Sequence, residues 1–210
     1  MKSSLTIRNA GVVLPGNIQK TDVSVINGVI NAIGSEIPDV GEVVDAEGLF
    51  LIPGIIDPQV HFREPGADHK EDLHSGSCAA AAGGVTSFLD MPNNNPPVTT
   101  RKRMEEKKQL AAEKSVVNYG FFIGATPDNL EELNAVENVC GIKIFMGAST
   151  GDLLVDDPDI LESIFANGTK LIAVHAEDES ILQANYKLMK GIDDVRVHSR
   201  IRDESAALSA

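Results

Sequence analysis

Four polar side chains of different chemistry follow an apolar run in the stretch LIPGIIDPQVHFREPG, which covers residues 51–66. They occupy alternate positions, as Asp57, Gln59, His61 and Arg63. Because successive side chains of a strand point to opposite faces, this spacing predicts that the four share one face. A single histidine is more often a hydrogen-bonded structural residue than a metal ligand. The stretch by itself therefore leaves both interpretations of His61 open.

A second histidine and an unusual lysine lie in comparable places further along the chain. His175 ends the apolar run of IAVHAED, and two histidines at equivalent strand ends favour one shared mouth, where neutral imidazole suits zinc. Lys143 lies between two isoleucines in GIKIFMG. An inward-facing lysine there would lose water, which lowers its pKa and makes the amine nucleophilic. A neutral amine can add carbon dioxide and become a carbamate that bridges two metal ions; the alternative is a salt-bridged lysine at a sheet edge.

Other polar residues allow a structural interpretation as well as a functional one. The planar guanidinium of Arg63 suits a carboxylate, but a surface salt bridge with Glu64 or Asp68 would explain it equally. Asn93 in DMPNNNPP is compatible with turn chemistry alone. An acidic cluster after the lysine strand predicts a helix N-terminus rather than a calcium loop, and consists of Asp152, Asp156, Asp157 and Asp159. Three further histidines are expected at the surface: His69, His74 and His198.

The elements that would position these residues fall into two parts. Residues 1–52 contain short β-branched runs ending at glycine or proline, with a hairpin turn at Asn27-Gly28, which predicts a small β unit. From residue 53 to residue 210, five strands alternate with helices. This alternation predicts βα units and a parallel sheet. The polar residues follow the carboxyl ends of the strands, as in a (β/α)8 barrel or an open α/β sheet.

Composition limits the classes of function. A net charge of −13 and a pI near 4.7 argue against a nucleic-acid partner, which needs a basic surface. No apolar run approaches the roughly 20 residues of a membrane span, and the N-terminus MKSSLTIRNAG lacks the apolar core of a signal peptide. Two cysteines do not form a disulfide framework, so we expect a cytoplasmic protein without a membrane partner.

The quoted motifs resemble those of a known family. PGIIDPQVHFREPG is similar to the first metal motif of the amidohydrolase superfamily, and specifically of dihydroorotases. EDLHSGSCAAAAGGVTSFLDMPNNNPP, GIKIFMGAS and VHAED are similar to the segments that follow it there. The resemblance covers nearly the whole chain and implies a (β/α)8 TIM barrel with a small N-terminal β-sandwich. Residues 1–52 would be the sandwich segment, and residues 53–210 the first five or so βα units of the barrel.

The same resemblance implies a function. It is that of a zinc hydrolase that interconverts (S)-dihydroorotate and N-carbamoyl-L-aspartate in pyrimidine biosynthesis. His61 would bind the first zinc, Lys143 as a carbamate would bridge both, and His175 would bind the second. Arg63 and Asn93 would hold the substrate carboxylate. The implied partners are this small-molecule substrate, a second copy of the chain in a homodimer and, as a further candidate, aspartate carbamoyltransferase.

Two departures from the family pattern affect these expectations. Gln59 stands where the family has the first histidine of a His-x-His pair, and an amide oxygen is a weaker zinc ligand than imidazole. We therefore expect two zinc ions, or one if Gln59 abolishes the first site. The family's later metal histidine and general-base aspartate have no counterpart among the 210 residues. A (β/α)8 barrel usually needs about 250 residues, so we expect this chain to be the N-terminal part of a longer protein.

Two other functions stay open at this point. One is a cyclic-amide hydrolase for another substrate, of the allantoinase or hydantoinase type. Arg63 and Asn93 argue against it, since they favour a substrate that carries a carboxylate. The other is an inactive dihydroorotase-like scaffold that binds aspartate carbamoyltransferase, which the replacement of a metal histidine by Gln59 suggests.

Overall fold

The computed structural model of the chain describes residues 4–147 and 153–209. These residues form two compact units, Met1–Gly54 and Ile55–Ala210, and each is described by itself. Asp152 of the acidic cluster and the last two residues of the GIKIFMGAS motif lie outside the described residues. No helix within the described ranges is long and apolar enough to cross a membrane.

The first unit is a small mixed sheet. Its strands are β1 (Leu5–Leu14), β2 (Asn17–Ile26), β3 (Val29–Gly34), β4 (Glu42–Asp45) and β5 (Phe50–Leu51). They lie in the order β3-β2-β1-β4, with β5 beside β1. The predicted hairpin is confirmed, because Asn27 (φ 55°) and Gly28 (φ 79°) take the left-handed conformation that a tight two-residue turn requires between β2 and β3.

The second unit contains the predicted parallel sheet. Its strands are β6 (Ile55–Val60), β7 (Val85–Asp90), β8 (Asn118–Gly124), β9 (Gly141–Phe145) and β10 (Ile172–His175). Each strand pairs in parallel with the next one along the chain, so the spatial order equals the chain order. Sequential parallel pairing brings all five carboxyl ends to one edge, where the candidate residues follow them.

Helices connect the strands and follow the last of them. They are α1 (Leu73–Ala82), α2 (Arg101–Lys114), α3 (Leu130–Ala135), α4 (Pro158–Asn167), α5 (Glu179–Leu188) and α6 (Val197–Ser209). The Asp157 carboxylate caps α4 by accepting hydrogen bonds from the backbone N–H groups of Asp159 and Ile160. This confirms the helix N-terminus interpretation for the described part of the acidic cluster.

The core lies between the helices and one face of the sheet. Fully buried aromatic and aliphatic side chains from three strands fill it, including Phe88, Phe121, Ile142 and Ile144. Every residue of β9 is buried, which is the pattern of a strand covered on both faces. A charged residue of this strand has therefore lost nearly all contact with water.

The first strand of the sheet is shorter than the alternating pattern predicted. β6 ends at Val60, whose ladder partner is Asp90, so His61 and Arg63 lie beyond the strand. The ladder stops because the Phe62 N–H donates to the Asp90 carboxylate (3.0 Å) instead of a backbone carbonyl. The prediction that four polar side chains share one strand face was therefore wrong for these last two residues.

Candidate active site

His61 and Asn93 form the first contact of the candidate site. The His61 Nδ1 atom lies 2.7 Å from the Asn93 Oδ1 atom, which is a hydrogen bond between the turns after β6 and β7. With Nδ1–H donated to this oxygen, the Nε2 lone pair of a neutral imidazole is free to bind a metal ion. The Asn93 amide nitrogen keeps its donors for a further partner. The structure thus brings together a candidate ligand and a candidate substrate-binding residue.

A buried ion pair lies at the end of β7, close in sequence to Asn93. The Lys107 Nζ atom is 2.7 Å from Asp90 Oδ2, and both side chains are 0 % exposed. The ammonium also donates to the Asn94 Oδ1 atom (2.8 Å) and to the Met91 carbonyl (3.1 Å). Burial raises the pKa of Asp90 and lowers that of Lys107, and the attraction between the two charges opposes both shifts.

The ion pair holds the turn that carries His61 and Arg63. Asp90 accepts from the Phe62 N–H, and the Asn94 amide donates to the Phe62 and Glu64 carbonyls (3.3 and 2.9 Å). The sequence motifs do not include Asp90, Asn94 or Lys107 as site residues. A usable signal existed, since Lys107 shares the buried face of α2 with Met104 and Ala111, and a charge in an apolar helical stripe is unusual.

Glu64 links the same turn to two helices. Its buried carboxylate accepts from the Leu73 N–H (2.9 Å) at the start of α1 and forms an ion pair with Lys114 at the end of α2. Glu64 is therefore not the partner of Arg63. Arg63 is exposed, and within residues 4–147 and 153–209 its guanidinium makes no hydrogen bond or ion pair. Neither surface salt bridge that sequence analysis offered for Arg63 forms, and its charge faces solvent at the mouth of the site.

Lys143 is buried at the centre of the sheet. Its residue exposure is 2 %, and burial lowers the pKa of the amine. Its register neighbours are Gly124 on β8 and Ala173 on β10, whose small side chains leave room for the long one. Among the described residues, the Nζ atom has no hydrogen-bond acceptor or carboxylate partner; it lies 5.1 Å from the centre of the Phe145 ring. Such an amine loses its proton more easily than an exposed one.

His175 ends the neighbouring strand and is held by two charged residues. Its Nε2 atom is 2.6 Å from Glu177 Oε2, and the Glu177 carboxylate also contacts Arg202 Nη1 on α6. Burial raises the pKa of Glu177, but hydrogen bonds from Arg202 and His175 outweigh it, so the net shift is downward. His175 was predicted from the sequence as a site residue, whereas Glu177 and Arg202 were not.

Gln59, which stands in place of a histidine of the family pattern, lies near the end of the first strand of the parallel sheet. Gln59 is exposed near the end of β6, and its backbone N–H donates to the Asp57 carboxylate (3.1 Å). Asp57 therefore orients the strand end. Nothing in the structure explains why glutamine stands at position 59.

The candidate residues form two groups at one edge of the sheet. His61 contacts Asn93 at the ends of β6 and β7, and Lys143 and His175 lie on the neighbouring strands β9 and β10. Among the described residues, no three histidine, cysteine, aspartate or glutamate side chains are gathered as a metal cluster. Lys143 is the further candidate ligand at this edge, on the strand next to that of His175.

Comparison with known proteins identifies the class of protein. The model of the amidohydrolase family matches residues 50–194, which is most of the chain. Solved structures have the same fold: L-hydantoinase (dihydropyrimidinase) from Arthrobacter aurescens superposes with a TM-score of 0.87 at 29 % identity, over 100 % of this chain and 49 % of that one. The five sequential βα units are accordingly part of an amidohydrolase-type (β/α)8 barrel, as predicted.

Curated relatives of two kinds match the chain. A dihydroorotase from Methanosarcina acetivorans is 37 % identical over 97 % of this chain and 45 % of its own length. An allantoinase from Bacillus velezensis is 34 % identical over 100 % of this chain and 48 % of its own length. This chain belongs to the amidohydrolase family, and it spans about half the length of these relatives.

The residues present are suited to the metal ions expected in this family. His61 and His175 each use one ring nitrogen for a hydrogen bond to an oxygen acceptor, which leaves the other nitrogen for a metal ion. Lys143 has a buried amine without a carboxylate partner among the described residues. Its pKa is lowered, which favours carbamate formation, in which the amine adds carbon dioxide and releases one proton. Imidazole and carboxylate-type ligands are those that zinc prefers.

We predict that Lys143 carries a carbamate in the full-length protein. After equilibration with 13C-bicarbonate and zinc, carbon NMR should show one protein-bound carbamate signal that is lost on acidification. A Lys143→Arg variant should lack the signal, because a guanidinium stays protonated. Lys108→Arg, at a lysine on α2, is the matched control and should keep it. Equal signals in the Lys143→Arg variant and the wild type would contradict the prediction.

Proposed function

We propose that the protein containing this chain is a dihydroorotase, which hydrolyses the cyclic amide of (S)-dihydroorotate to N-carbamoyl-L-aspartate and catalyses the reverse ring closure. The observation that carries the proposal is Arg63. Its guanidinium is exposed and unpaired within the described part of the chain, two residues after His61 and its contact with Asn93. Dihydroorotate carries a carboxylate, whereas allantoin and hydantoin do not, and a free guanidinium is a strong carboxylate ligand.

Some of the candidate residues would bind metal ions and the others would bind the substrate. His61, His175 and the carbamate of Lys143 would hold zinc, which when bound polarises a carbonyl and lowers the pKa of water. Arg63 would bind the substrate carboxylate through two parallel hydrogen bonds. The amide nitrogen of Asn93 would add a third donor, since its oxygen is already bonded to His61. The turn that carries Arg63 is held by Asn94 and Glu64, so the backbone from which the guanidinium extends is fixed before substrate arrives.

The test is a comparison of substrates on the full-length protein. Ring opening of dihydroorotate, allantoin and hydantoin should be measured with the zinc-loaded enzyme, and dihydroorotate should have the highest kcat/KM. Turnover of allantoin or hydantoin without turnover of dihydroorotate would remove the proposal in favour of the allantoinase or hydantoinase alternative. Absence of turnover for all three would favour the scaffold alternative.

Substitution of Arg63 gives a sharper prediction. Arg63→Gln should lower kcat/KM for dihydroorotate by about 10- to 100-fold, because a hydrogen bond to a charged group contributes about 1.5–3 kcal/mol. Turnover of a ring without a carboxylate, where measurable, should change by less than about threefold. The matched control is Arg103→Gln on α2, whose guanidinium donates to the Pro97 carbonyl. An equal fall in kcat/KM for rings with and without a carboxylate would mean that Arg63 does not bind the carboxylate.

The remaining expectations are proposals that rest on the resemblance. We propose pyrimidine biosynthesis as the pathway, the cytoplasm as the location, two zinc ions per site, or one if Gln59 cannot bind, and a homodimer. Association with aspartate carbamoyltransferase is the partner interaction to test. Elemental analysis of the purified full-length protein addresses the metal count, and sedimentation with and without the carbamoyltransferase addresses the two assemblies.

A further inference from the structure

We propose that Arg202, on the last described helix, is a positioning residue that acts through Glu177 to hold the imidazole of His175 in the one tautomer that presents Nδ1 to a metal ion. This inference rests on the proposed function only where it takes His175 as a metal ligand. It assigns a role to α6, a helix that the sequence motifs do not include.

The first step is the hydrogen bond between His175 and Glu177. The His175 Nε2 atom lies 2.6 Å from Glu177 Oε2. An ionised carboxylate has no hydrogen to donate, so the hydrogen between the two atoms belongs to Nε2. In a neutral imidazole the lone pair available to a metal ion is then on Nδ1. A carboxylate partner thus fixes the tautomer more firmly than an amide, which can rotate and offer either a donor or an acceptor.

The second step is the ion pair that keeps Glu177 in place. The side chain of Glu177 is only 8 % exposed, and its two oxygens both lie 2.6 Å from Arg202 Nη1. A carboxylate with so little water needs a cation to stay charged and fixed. Within the described residues, Arg202 is the one arginine or lysine side chain in contact with this carboxylate.

The third step is the docking of α6, which determines where the guanidinium lies. The Ser205 hydroxyl donates to the Asp178 carbonyl (2.9 Å), and the Asn185 amide donates to the Ile201 carbonyl (3.1 Å). These bonds join α6 to the beginning and the end of α5. Arg202 lies on α6 between the two bonded positions, so the helix delivers the guanidinium to the residues that follow β10.

The consequence is a difference between the two candidate histidines. His61 makes its hydrogen bond through Nδ1 and would bind a metal ion through Nε2, whereas His175 does the opposite. Outer partners of this kind orient a ligand and typically change metal affinity by about 10- to 100-fold when they are removed. Loss of Arg202 should therefore weaken metal binding although the residue contacts no candidate ligand directly.

The experiment measures the tautomer first, without metal or substrate. The full-length protein is labelled with 15N-histidine, stripped of metal and studied by long-range proton–nitrogen NMR at mildly alkaline pH, with His175→Gln to identify the signal. In the wild type, His175 should show a protonated Nε2 and an unprotonated Nδ1. In Glu177→Gln and Arg202→Gln, the nitrogen shifts should move towards those of a mixture of tautomers. Zinc affinity, measured by competition with a chelator, should fall by about 10- to 100-fold in both.

Matched variants separate positioning from a general effect on folding. Arg200→Gln removes the same charge from the same helix, two residues away, and should keep the wild-type tautomer and zinc affinity. Arg202→Lys keeps a cation beside Glu177, so its His175 tautomer and zinc affinity should lie closer to those of the wild type than the values of Arg202→Gln do. If the glutamine variant does not fold, Glu177→Gln and the lysine variant provide the test. The inference is overturned if wild-type His175 is protonated on Nδ1, or if removing the Arg202 charge changes neither measurement.

This design also separates the inference from the proposed function. The NMR and zinc measurements involve no substrate, so a protein that binds zinc as expected but does not open dihydroorotate would refute only the dihydroorotase proposal. Conversely, an active dihydroorotase whose His175 tautomer does not depend on Arg202 would refute only the positioning role.

Discussion

Lys107→Met should lower the free energy of unfolding by about 3–5 kcal/mol, because it leaves the Asp90 carboxylate buried without its cation. Both side chains of this pair are 0 % exposed, so water cannot replace the lost partner. Loss of the ammonium also removes its hydrogen bonds to the Asn94 side-chain oxygen and the Met91 carbonyl. Chemical denaturation of the full-length protein, followed by fluorescence or circular dichroism, measures the effect.

A double variant distinguishes a buried unpaired charge from a simple loss of packing. Asp90→Asn combined with Lys107→Met removes both charges, and the asparagine oxygen can still accept from the Phe62 N–H. The double variant should therefore be more stable than Lys107→Met alone, since a neutral pair in place of a buried ion pair is often tolerated. Lys102→Met, at an exposed lysine of the same helix, should change stability by less than about 0.5 kcal/mol. Additive losses in the double variant would contradict this account.

The double variant should also weaken substrate binding, even if it is nearly as stable as the wild type. Asp90 and Asn94 hold the turn that carries His61 and Arg63. We expect the double variant, even where it is well folded, to bind dihydroorotate less tightly than the wild type, because Asn94 loses the Lys107 hydrogen bond that orients its amide towards the turn. Wild-type KM in a folded double variant would show that the ion pair serves stability alone.

Lys143→Ala should lower turnover of dihydroorotate by about a thousand-fold or more. The variant removes the proposed bridging ligand, and metal-based stabilisation of a transition state is worth several kcal/mol, of which about 4 kcal/mol corresponds to a thousand-fold in rate. The free energy of unfolding should fall only by the cost of the lost packing, since within the described residues the Lys143 amine makes no hydrogen bond or ion pair. Steady-state kinetics, zinc content and thermal unfolding of the full-length protein measure the three effects.

Chemical rescue makes this prediction specific for a carbamate. Truncation to alanine leaves a cavity beside Gly124 and Ala173, and a short carboxylic acid such as propionate can occupy it. Added propionate should restore part of the zinc content and turnover of Lys143→Ala, whereas propylamine, the matched amine, should not. Rescue by the amine alone would show that Lys143 acts as an amine and would contradict the carbamate.

Local patterns in the sequence determined most of the fold. The hairpin at Asn27-Gly28, the five parallel strands and the helices between them follow from side-chain periodicity and turn residues, which act over a few positions. The sequence left the burial of Lys143 open between an inward-facing amine and a salt-bridged lysine at a sheet edge, and the place of β9 between β8 and β10 in the sheet decided it. The end of β6 was not predictable, because it depends on a hydrogen bond from Phe62 to the side chain of Asp90.

Only the tertiary structure decided what holds the candidate site. Lys114 pairs with Glu64 across 50 positions, and Arg202 reaches Glu177 across 25. Lys107 reaches Asp90 at the end of β7 from α2, which packs against α1 and β8. Such contacts depend on how helices dock on the sheet, and charge patterns along the chain allow many pairings of similar energy. The sequence by itself determined which residues could do chemistry, whereas the packing of distant segments decided which charges keep them in position.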